Sequence, residues 1–297
     1  MSAHIALIKG DGIGAAVCNA TTYLVDFCLR LVGKTPLNIT KIDAGDAIFL
    51  GAIGLPSIRY KNGTEISTHL RLREQFQLYA GVRPVKAYPN IPQKLADPRA
   101  ANINFIVIRE STEGLFHSAA VHNRSHIKTD FTVDKISAYY PDVAKFYNYV
   151  DAQAVDLIRQ PLDANILVME NMFGDVLSDL AGGLVDGMGM AACAEIGDNI
   201  GLFQPAHGSA PDIMGQDRAN PLAAILSGVL MLDYPADKLD LWRYAGDSRL
   251  LDTAITTAFE TNTIRPMEFD GDMSTVAVTR AIAESCNPCR PTYNSSR

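Results

Sequence analysis

Two carboxylates, Asp175 and Asp179, stand four residues apart in the stretch ENMFGDVLSDLAGG (170–183). Residues at that spacing share one face of a helix. The stretch therefore predicts two acids side by side among apolar residues and glycines. Ionised groups are rarely buried without partners, because stripping water from an ion is expensive. Such a pair either faces water on a helix surface or holds something positive between its members. Two strand-like runs lead into further polar residues. INFIVIRE (103–110) sets five apolar residues before two charges, and ANILVMENMFGD (164–175) repeats the pattern of strand and polar exit. Chemistry in α/β proteins gathers at the C-terminal ends of strands, so Arg109, Glu110, Glu170, Asn171 and Asp175 are candidate site residues. A third stretch, QPAHGSAPDIMGQDRANP (204–221), is a long polar loop rich in Gly, Pro and Asp. Loops of that length in compact proteins are usually functional.

Positioning these groups requires a scaffold, and the chain reads as α/β. IALI (5–8) is a short buried strand ending in the glycine turn GDGIG. Residues 16–32 follow with helical spacing of Val17, Leu24, Phe27 and Leu31. AIFLGAIG (47–54) is a second apolar run closed by glycine. HLRLREQFQLYAGVR (69–83) is expected to be a helix carrying basic residues, and an apolar helix is expected to begin near Pro221. The order strand, loop, helix is that of an α/β fold. No internal repeat or low-complexity segment is present, and the tail from Asn287 is polar.

The totals narrow the function classes. The chain has 297 residues, is 47% hydrophobic and 20% charged, and carries a net charge of -7. That is one large domain or two of ordinary size, with enough apolar residues for a core. No Lys/Arg run supplies the basic field of a nucleic-acid binder. The five cysteines are Cys18, Cys28, Cys193, Cys286 and Cys289. An odd, scattered set argues against a disulfide framework. Cys286 and Cys289 form one C-x-x-C with no second pair to close a zinc site, so free thiols are expected there. No signal-peptide pattern opens the sequence, and no apolar run approaches the ~20 residues that span a bilayer. A soluble, cytoplasmic protein without membrane partners is expected.

Seven stretches in order, GDGIG (10–14), GAIGLP (51–56), LREQFQLYAGVRP (72–84), IRESTEG (108–114), YVDA (149–152), ENMFGDVLSDL (170–180) and HGSAPDIMGQDRANP (207–221), resemble the isocitrate/3-isopropylmalate dehydrogenase family of β-decarboxylating dehydrogenases. The last two are highly specific. The wording RESTEGLF and ENMFGD looks closest to the branch with tartrate- or malate-like substrates. The resemblance implies a two-domain, isopropylmalate-dehydrogenase-like α/β fold with central mixed sheets flanked by helices. Its implied division is an NAD-binding domain from 1–78 and 187–297 and a metal, substrate and dimerisation domain from 79–186. The implied activity is NAD-dependent oxidation of a small 2-hydroxy dicarboxylic acid such as malate, tartrate, isopropylmalate or isocitrate, with oxidative decarboxylation in many members.

The resemblance also assigns residues. Asp151, Asp175 and Asp179 match the family's ligands to Mg²⁺ or Mn²⁺, a hard ion that takes oxygen ligands. Asp151 would serve the neighbouring subunit's site, which implies a homodimer. Arg73, Arg83 and Arg109 match the clamp on the dicarboxylate substrate, where planar guanidiniums give bidentate contacts that lysine cannot. Ser67 and His69 fall where the family reads the variable part of the substrate. The polar set STH there disfavours a bulky apolar group. His207, Gly208, Ser209, Ala210, Asp212 and Asn220 match the adenosine site. Asp212 stands where NAD-specific members keep an acid, which would repel the 2′-phosphate of NADP.

The chain also departs from the pattern. Phe116 occupies the position of the catalytic tyrosine and has no proton to give; the adjacent His117 or water could protonate the enol, or the reaction stops at the ketone. Lys135 matches the catalytic lysine in part, since VDK fits while the following AN is missing; TDFTVDK equally matches an earlier stretch, in which case that lysine is absent. A helix and a strand expected before it, most of a helix after it, and a helix between AGDA and GA are missing. Ala15 and Ala16 replace a proline and an acid after GDGIG. Losing a crossover helix bares a few hundred Å² of apolar surface, worth several kcal/mol at about 25 cal/mol per Å². Net stability is typically ~5–15 kcal/mol, so the loss matters. The alternative function is a catalytically impaired homologue acting as a regulatory or ligand-binding subunit.

Overall fold

The computed structural model describes residues 4–32, 38–40, 46–55, 57–63, 66–114, 142, 144–185, 187–238 and 245–286. The fold is α/β, with mixed β-sheet flanked by helices. The chain divides into two compact units: Met1–Leu55 with Phe203–Arg297, and Pro56–Leu202. These divisions fall elsewhere than 78/79 and 186/187. Helix α2 (Thr68–Phe76) and strand β7 (Ala192–Ile196) stay with the middle unit, because β7 pairs with β4 (Ala80–Lys86) and Arg73 of α2 bonds to Glu195 of β7.

In the first unit, β1 (His4–Ile8) pairs in parallel with β2 (Asn38–Thr40) on one side and β3 (Ala47–Leu50) on the other. A strand flanked on both sides and covered on both faces carries a continuous apolar run; Ile5, Ala6 and Leu7 are buried. The turn after β1 leads into α1 (Gly14–Leu31), whose stripe Val17, Leu24, Cys28 and Leu29 is buried. It packs against α5 (Leu222–Lys238), α6 (Ala245–Glu260) and α7 (Thr275–Cys286). Two glycines make the turn possible. Gly12 has φ +53°, and a Cβ there would sit 2.0 Å from Ser209 O; Gly10 has φ +73°, with Ala52 O 2.1 Å from such an atom. The division of the chain between Leu202 and Phe203 falls within strand β8 (Gly201–Pro205).

In the middle unit, β4 pairs antiparallel with β7 and with β5 (Asn104–Glu110), and β5 pairs in parallel with β6 (Ile166–Met169). Helices α3 (Val150–Arg159) and α4 (Asn171–Val185) pack there. Their core joins Leu157, Leu177 and Ala181 to Val85, Phe105 and Val107. The helix expected over 69–83 ends at Phe76. Gln77 takes the left-handed conformation (φ 50°), and the next residues alternate in burial as a strand does. Pro84 is tolerated in β4 because the pairing with β7 covers only Ala80–Val82. Among the described residues, no helix is long and apolar enough to cross a membrane.

Candidate active site

Three neighbouring strands bring the first groups together. Gly81 of β4 is directly paired with Arg109 of β5 on one side and Glu195 of β7 on the other. Directly paired side chains point to the same face of a sheet, so Arg109 and Glu195 flank a position with no side chain. A Cβ on Gly81 would lie 3.0 Å from Glu195 Oε2 and 2.7 Å from Ser111 Oγ. Arg83 is two residues further along β4, on the same face. Arg73, the buried residue of α2, donates from Nη2 to Glu195 Oε1 at 2.5 Å.

Helix α4 supplies the opposing groups at helical spacing. Arg109 donates from Nε and Nη2 to Asn171 Oδ1, at 2.9 and 2.7 Å, and from Nη1 to Asp175 Oδ1. Arg83 donates from Nη1 to Ser178 Oγ at 2.5 Å and to Asp179 Oδ1 at 3.3 Å, and from Nη2 to Asp175 Oδ1 at 3.4 Å. The close approach of α4 to β5 depends on Gly174, where a Cβ would stand 2.8 Å from Cβ and Cγ of Arg109. The Asp175 and Asp179 side chains remain 39% and 57% exposed, whereas that of Glu195 is fully buried.

The electrostatics follow from this geometry. Burial opposes ionisation of Glu195, but Arg73, Arg83 and Arg109 outweigh it and hold the carboxyl below its ordinary range. Asp179 is pushed up by burial, with Asp175 beside it adding to the rise. Arg109 is brought down to about 10 by burial and then by Arg73, and stays charged near neutrality. His69, one turn before Arg73, is lowered to about 4 by burial and by Arg73. The Nε atoms of Arg73 and Arg83 are buried without a hydrogen-bond partner among the described residues.

The structure therefore brings Arg73, Arg83, Arg109, Asp175 and Asp179 together. Ser67 is the residue before α2 and makes no side-chain cap there. Asp151 stands apart, exposed in the first turn of α3, where its Oδ1 accepts from Ala152 N–H at 2.9 Å. Among the described residues, no three His, Cys, Asp or Glu side chains of one chain meet as a metal site. Asp175 and Asp179 nonetheless fit a divalent ion. They are two part-exposed carboxylates one helical turn apart, an oxygen-donor pair of the kind a hard cation takes. Lys135, Phe116 and His117 lie outside the described residues, as does Cys289.

Two strand-end acids are committed to the backbone instead. Glu110 accepts from Thr112 N–H, Thr112 Oγ1 and Glu113 N–H, at 2.8, 2.6 and 2.7 Å. Glu170 Oε2 caps α4 by accepting from Met172 and Phe173 N–H. Glu195 and Ser178 were not singled out from the sequence. The available signal for Glu195 was an acid inside the apolar run AACAEIG.

The second polar cluster lies in the first unit, where three loops meet. Ile13 N–H donates to Ser209 O at 2.9 Å, Asp11 N–H to Ala52 O at 2.7 Å, and Gly54 N–H to Asp11 Oδ2 at 3.1 Å. Ser209 Oγ donates to Gly54 O. Ala210 is left-handed (φ 38°), and Gly208 and Asp212 are exposed. His207 contacts Gly208 O through Nδ1 at 3.0 Å, and burial lowers its pKa. Asn220 Oδ1 accepts from Leu222 N–H at the start of α5, and its Nδ2 donates to Glu268 at 2.8 Å. Its amide thus fixes the loop's exit.

Comparison with known proteins gives one answer. The chain matches the isocitrate/isopropylmalate dehydrogenase family over residues 33–137 and 119–284. It is 30% identical over 312 residues to 3-isopropylmalate dehydrogenase of Corynebacterium diphtheriae, covering 80% of this chain and 90% of that one. It is 33% identical to the Bifidobacterium longum enzyme of the same name, covering 77% and 87%. An alignment of 312 positions that takes in 80% of a 297-residue chain steps over segments with no counterpart here. Among solved structures, isocitrate dehydrogenase from Methylococcus capsulatus superposes with a TM-score of 0.74 at 25% identity, covering 97% of this chain and 100% of that one. The TT0538 protein of Thermus thermophilus shares the fold with a TM-score of 0.78 at 24% identity, covering 95% and 68%.

Proposed function

From the isocitrate/isopropylmalate dehydrogenase family, to which this chain belongs, we infer an oxidoreductase that oxidises a small 2-hydroxy acid bearing at least two carboxylates, with NAD as hydride acceptor. The observation that carries this reading is the convergence of buried guanidiniums on two part-exposed carboxylates one helical turn apart. Arg83 and Arg109 reach the site with donors in a planar fork, suited to substrate carboxylates. Asn171 and Ser178 hold those forks in orientation. Asp175 and Asp179 would hold Mg²⁺ or Mn²⁺, joined by Asp151 from a second copy. Such an ion, held there, would supply Lewis-acid polarisation of the substrate oxygens. Lys135 is the proposed base for the hydroxyl proton.

The loops at 10–14, 51–54 and 207–220 are the proposed NAD site, with His207 and Asn220 beside the adenine and Asp212 favouring NAD over NADP. A homodimer follows from the family assignment of Asp151 to a neighbouring subunit's site; Val155 and Ile158 on α3 and Val176 on α4 are exposed apolar residues. The four described cysteines are buried and form no disulfide, which fits a reducing cytoplasm. A second reading, an impaired homologue that binds ligands without turnover, is favoured by Phe116 and by the segments missing from the alignment.

The test is NADH formation by the purified chain with NAD and Mn²⁺ against D-malate, tartrate, isopropylmalate and isocitrate, with an EDTA control. Metal-dependent NADH formation with any of these acids supports the dehydrogenase. No turnover, with NAD or Mn²⁺ still raising the melting temperature, supports the impaired homologue.

A further inference from the structure

Two cysteines of the first unit belong to neither polar cluster, yet their sulfurs meet. Cys28, in the last turn of α1, and Cys286, the last residue of α7, stand Sγ to Sγ at 3.6 Å where the two helices pack. They are 258 residues apart in sequence, and both are buried. The hydrogen bond between them draws the Cys286 thiol below its ordinary range, while that bond and burial push Cys28 up. Cys18 and Cys193 donate instead to Lys9 O and Glu195, and burial pushes each thiol up to about 12. Both helices start at loops of the second polar cluster. α1 begins directly after Ile13, whose N–H donates to Ser209 O. Thr275, the first residue of α7, donates through N–H to Asp217 O at 3.0 Å and through Oγ1 to Ala219 O at 2.6 Å.

We propose that Cys28 and Cys286 form an oxidation site, at which peroxide joins them in a disulfide that staples α1 to α7 and stabilises the first unit. The inference is independent of the activity proposed above. A disulfide holds its sulfurs about 2.0 Å apart, so a closing movement of about 1.6 Å is needed, within the reach of side-chain rotation. Helix ends fray, which opens Cys286 to a small neutral oxidant. The Cys286 thiolate attacks one oxygen of hydrogen peroxide and the O–O bond breaks. The departing hydroxide takes up the proton that Cys286 released, giving water and a sulfenic acid on Cys286. The Cys28 sulfur then attacks the Cys286 sulfur. The S–S bond forms, and the sulfenic hydroxyl leaves as water with the Cys28 proton. Two thiols and one peroxide thus give one disulfide and two waters. In a reducing compartment the pair rests as thiols, and a thiol reductant reopens the bond by exchange. A cross-link over so long a stretch of chain restricts the unfolded state strongly.

The test treats the full, folded chain with hydrogen peroxide and maps its peptides by mass spectrometry without reductant, using fragmentation to assign each sulfur. A Cys28–Cys286 linkage is expected, lost on adding dithiothreitol, with Cys18 and Cys193 still thiols. The melting temperature should rise by at least about 4 °C on oxidation and return on reduction. Cys289→Ser should keep both the linkage and the rise. Cys28→Ser should lose both, and Cys28→Ala replaces it if serine is not tolerated at this buried position. A wild type without the Cys28–Cys286 linkage overturns the inference, whether Cys286 pairs with Cys289 instead or stops at a sulfinic acid, and that result needs no variant. So does a linkage that leaves the melting temperature unchanged or lowers it, or a rise that persists in either Cys28 variant.

Discussion

Arg109 spends two of its donors, Nε and Nη2, on the single side-chain oxygen of Asn171. The pairing fixes the plane of the guanidinium, and Asn171 is itself held by donating to Glu113 O at 2.9 Å. Removing the amide in Asn171→Ala strands two buried donors, at about 1–3 kcal/mol. The variant should raise KM for the acid by about tenfold and change KM for NAD by less than about twofold. Steady-state kinetics with each substrate varied in turn checks the split.

Asp175 and Asp179 should govern the response to metal. A ligand at one hundred times its Kd stabilises a folded chain by about 2.7 kcal/mol. Mn²⁺ should therefore raise the melting temperature of the wild type, and EDTA should reverse the rise. Asp175→Asn combined with Asp179→Asn should abolish the Mn²⁺ response. Differential scanning fluorimetry with and without Mn²⁺ reads this, and an undiminished rise in the double variant counts against these ligands.

His69 makes a pH prediction whose sign follows from its surroundings. Burial, then Arg73, lower it from 6.5 to about 4, with Arg109 adding to the shift and Glu195 and Asp175 opposing it. The unfolded chain takes up a proton below pH 6.5 while the folded one does not. The contribution to stability is complete above pH 6.5 and is lost as pH falls towards 4, to a limit of about 3 kcal/mol. His69→Gln should lose less stability than the wild type between pH 7.5 and 4.5. Urea denaturation at the two pH values checks the difference.

Asp212 is exposed on the loop that follows Ser209. Replacing its charge in Asp212→Lys removes repulsion of a 2′-phosphate and offers it a partner. The kcat/KM ratio of NADP over NAD should rise by at least about tenfold, a change of about 1.4 kcal/mol. Initial rates with both cofactors decide it.

Much of this was legible in the sequence, for identifiable reasons. β1, β5 and α1 announced themselves because their apolar residues follow the period of one element and end at polar residues or glycine. The end of α2 was hidden. Gln77 makes the left-handed turn that glycine usually signals, while Gly81 and Pro84, which argue against a helix, lie inside a strand. Arg73, Arg83 and Arg109 were found through the family pattern, but that pattern cannot show Arg73 already held by Glu195. One acid in a buried strand reads as an irregularity until the register places it opposite Gly81. Glu110 and Glu170 looked like site acids because they sit at strand ends; only their hydrogen bonds show that they cap backbone.

The central claim is hydride transfer from the carbinol carbon of a hydroxy diacid to NAD under control of a divalent ion. The most direct test supplies malate deuterated at C2, with NAD and Mn²⁺, and examines the reduced cofactor by mass spectrometry. The account predicts one deuterium in the nicotinamide ring and none when EDTA is present. NADH carrying no deuterium, or formed equally well in EDTA, would contradict it.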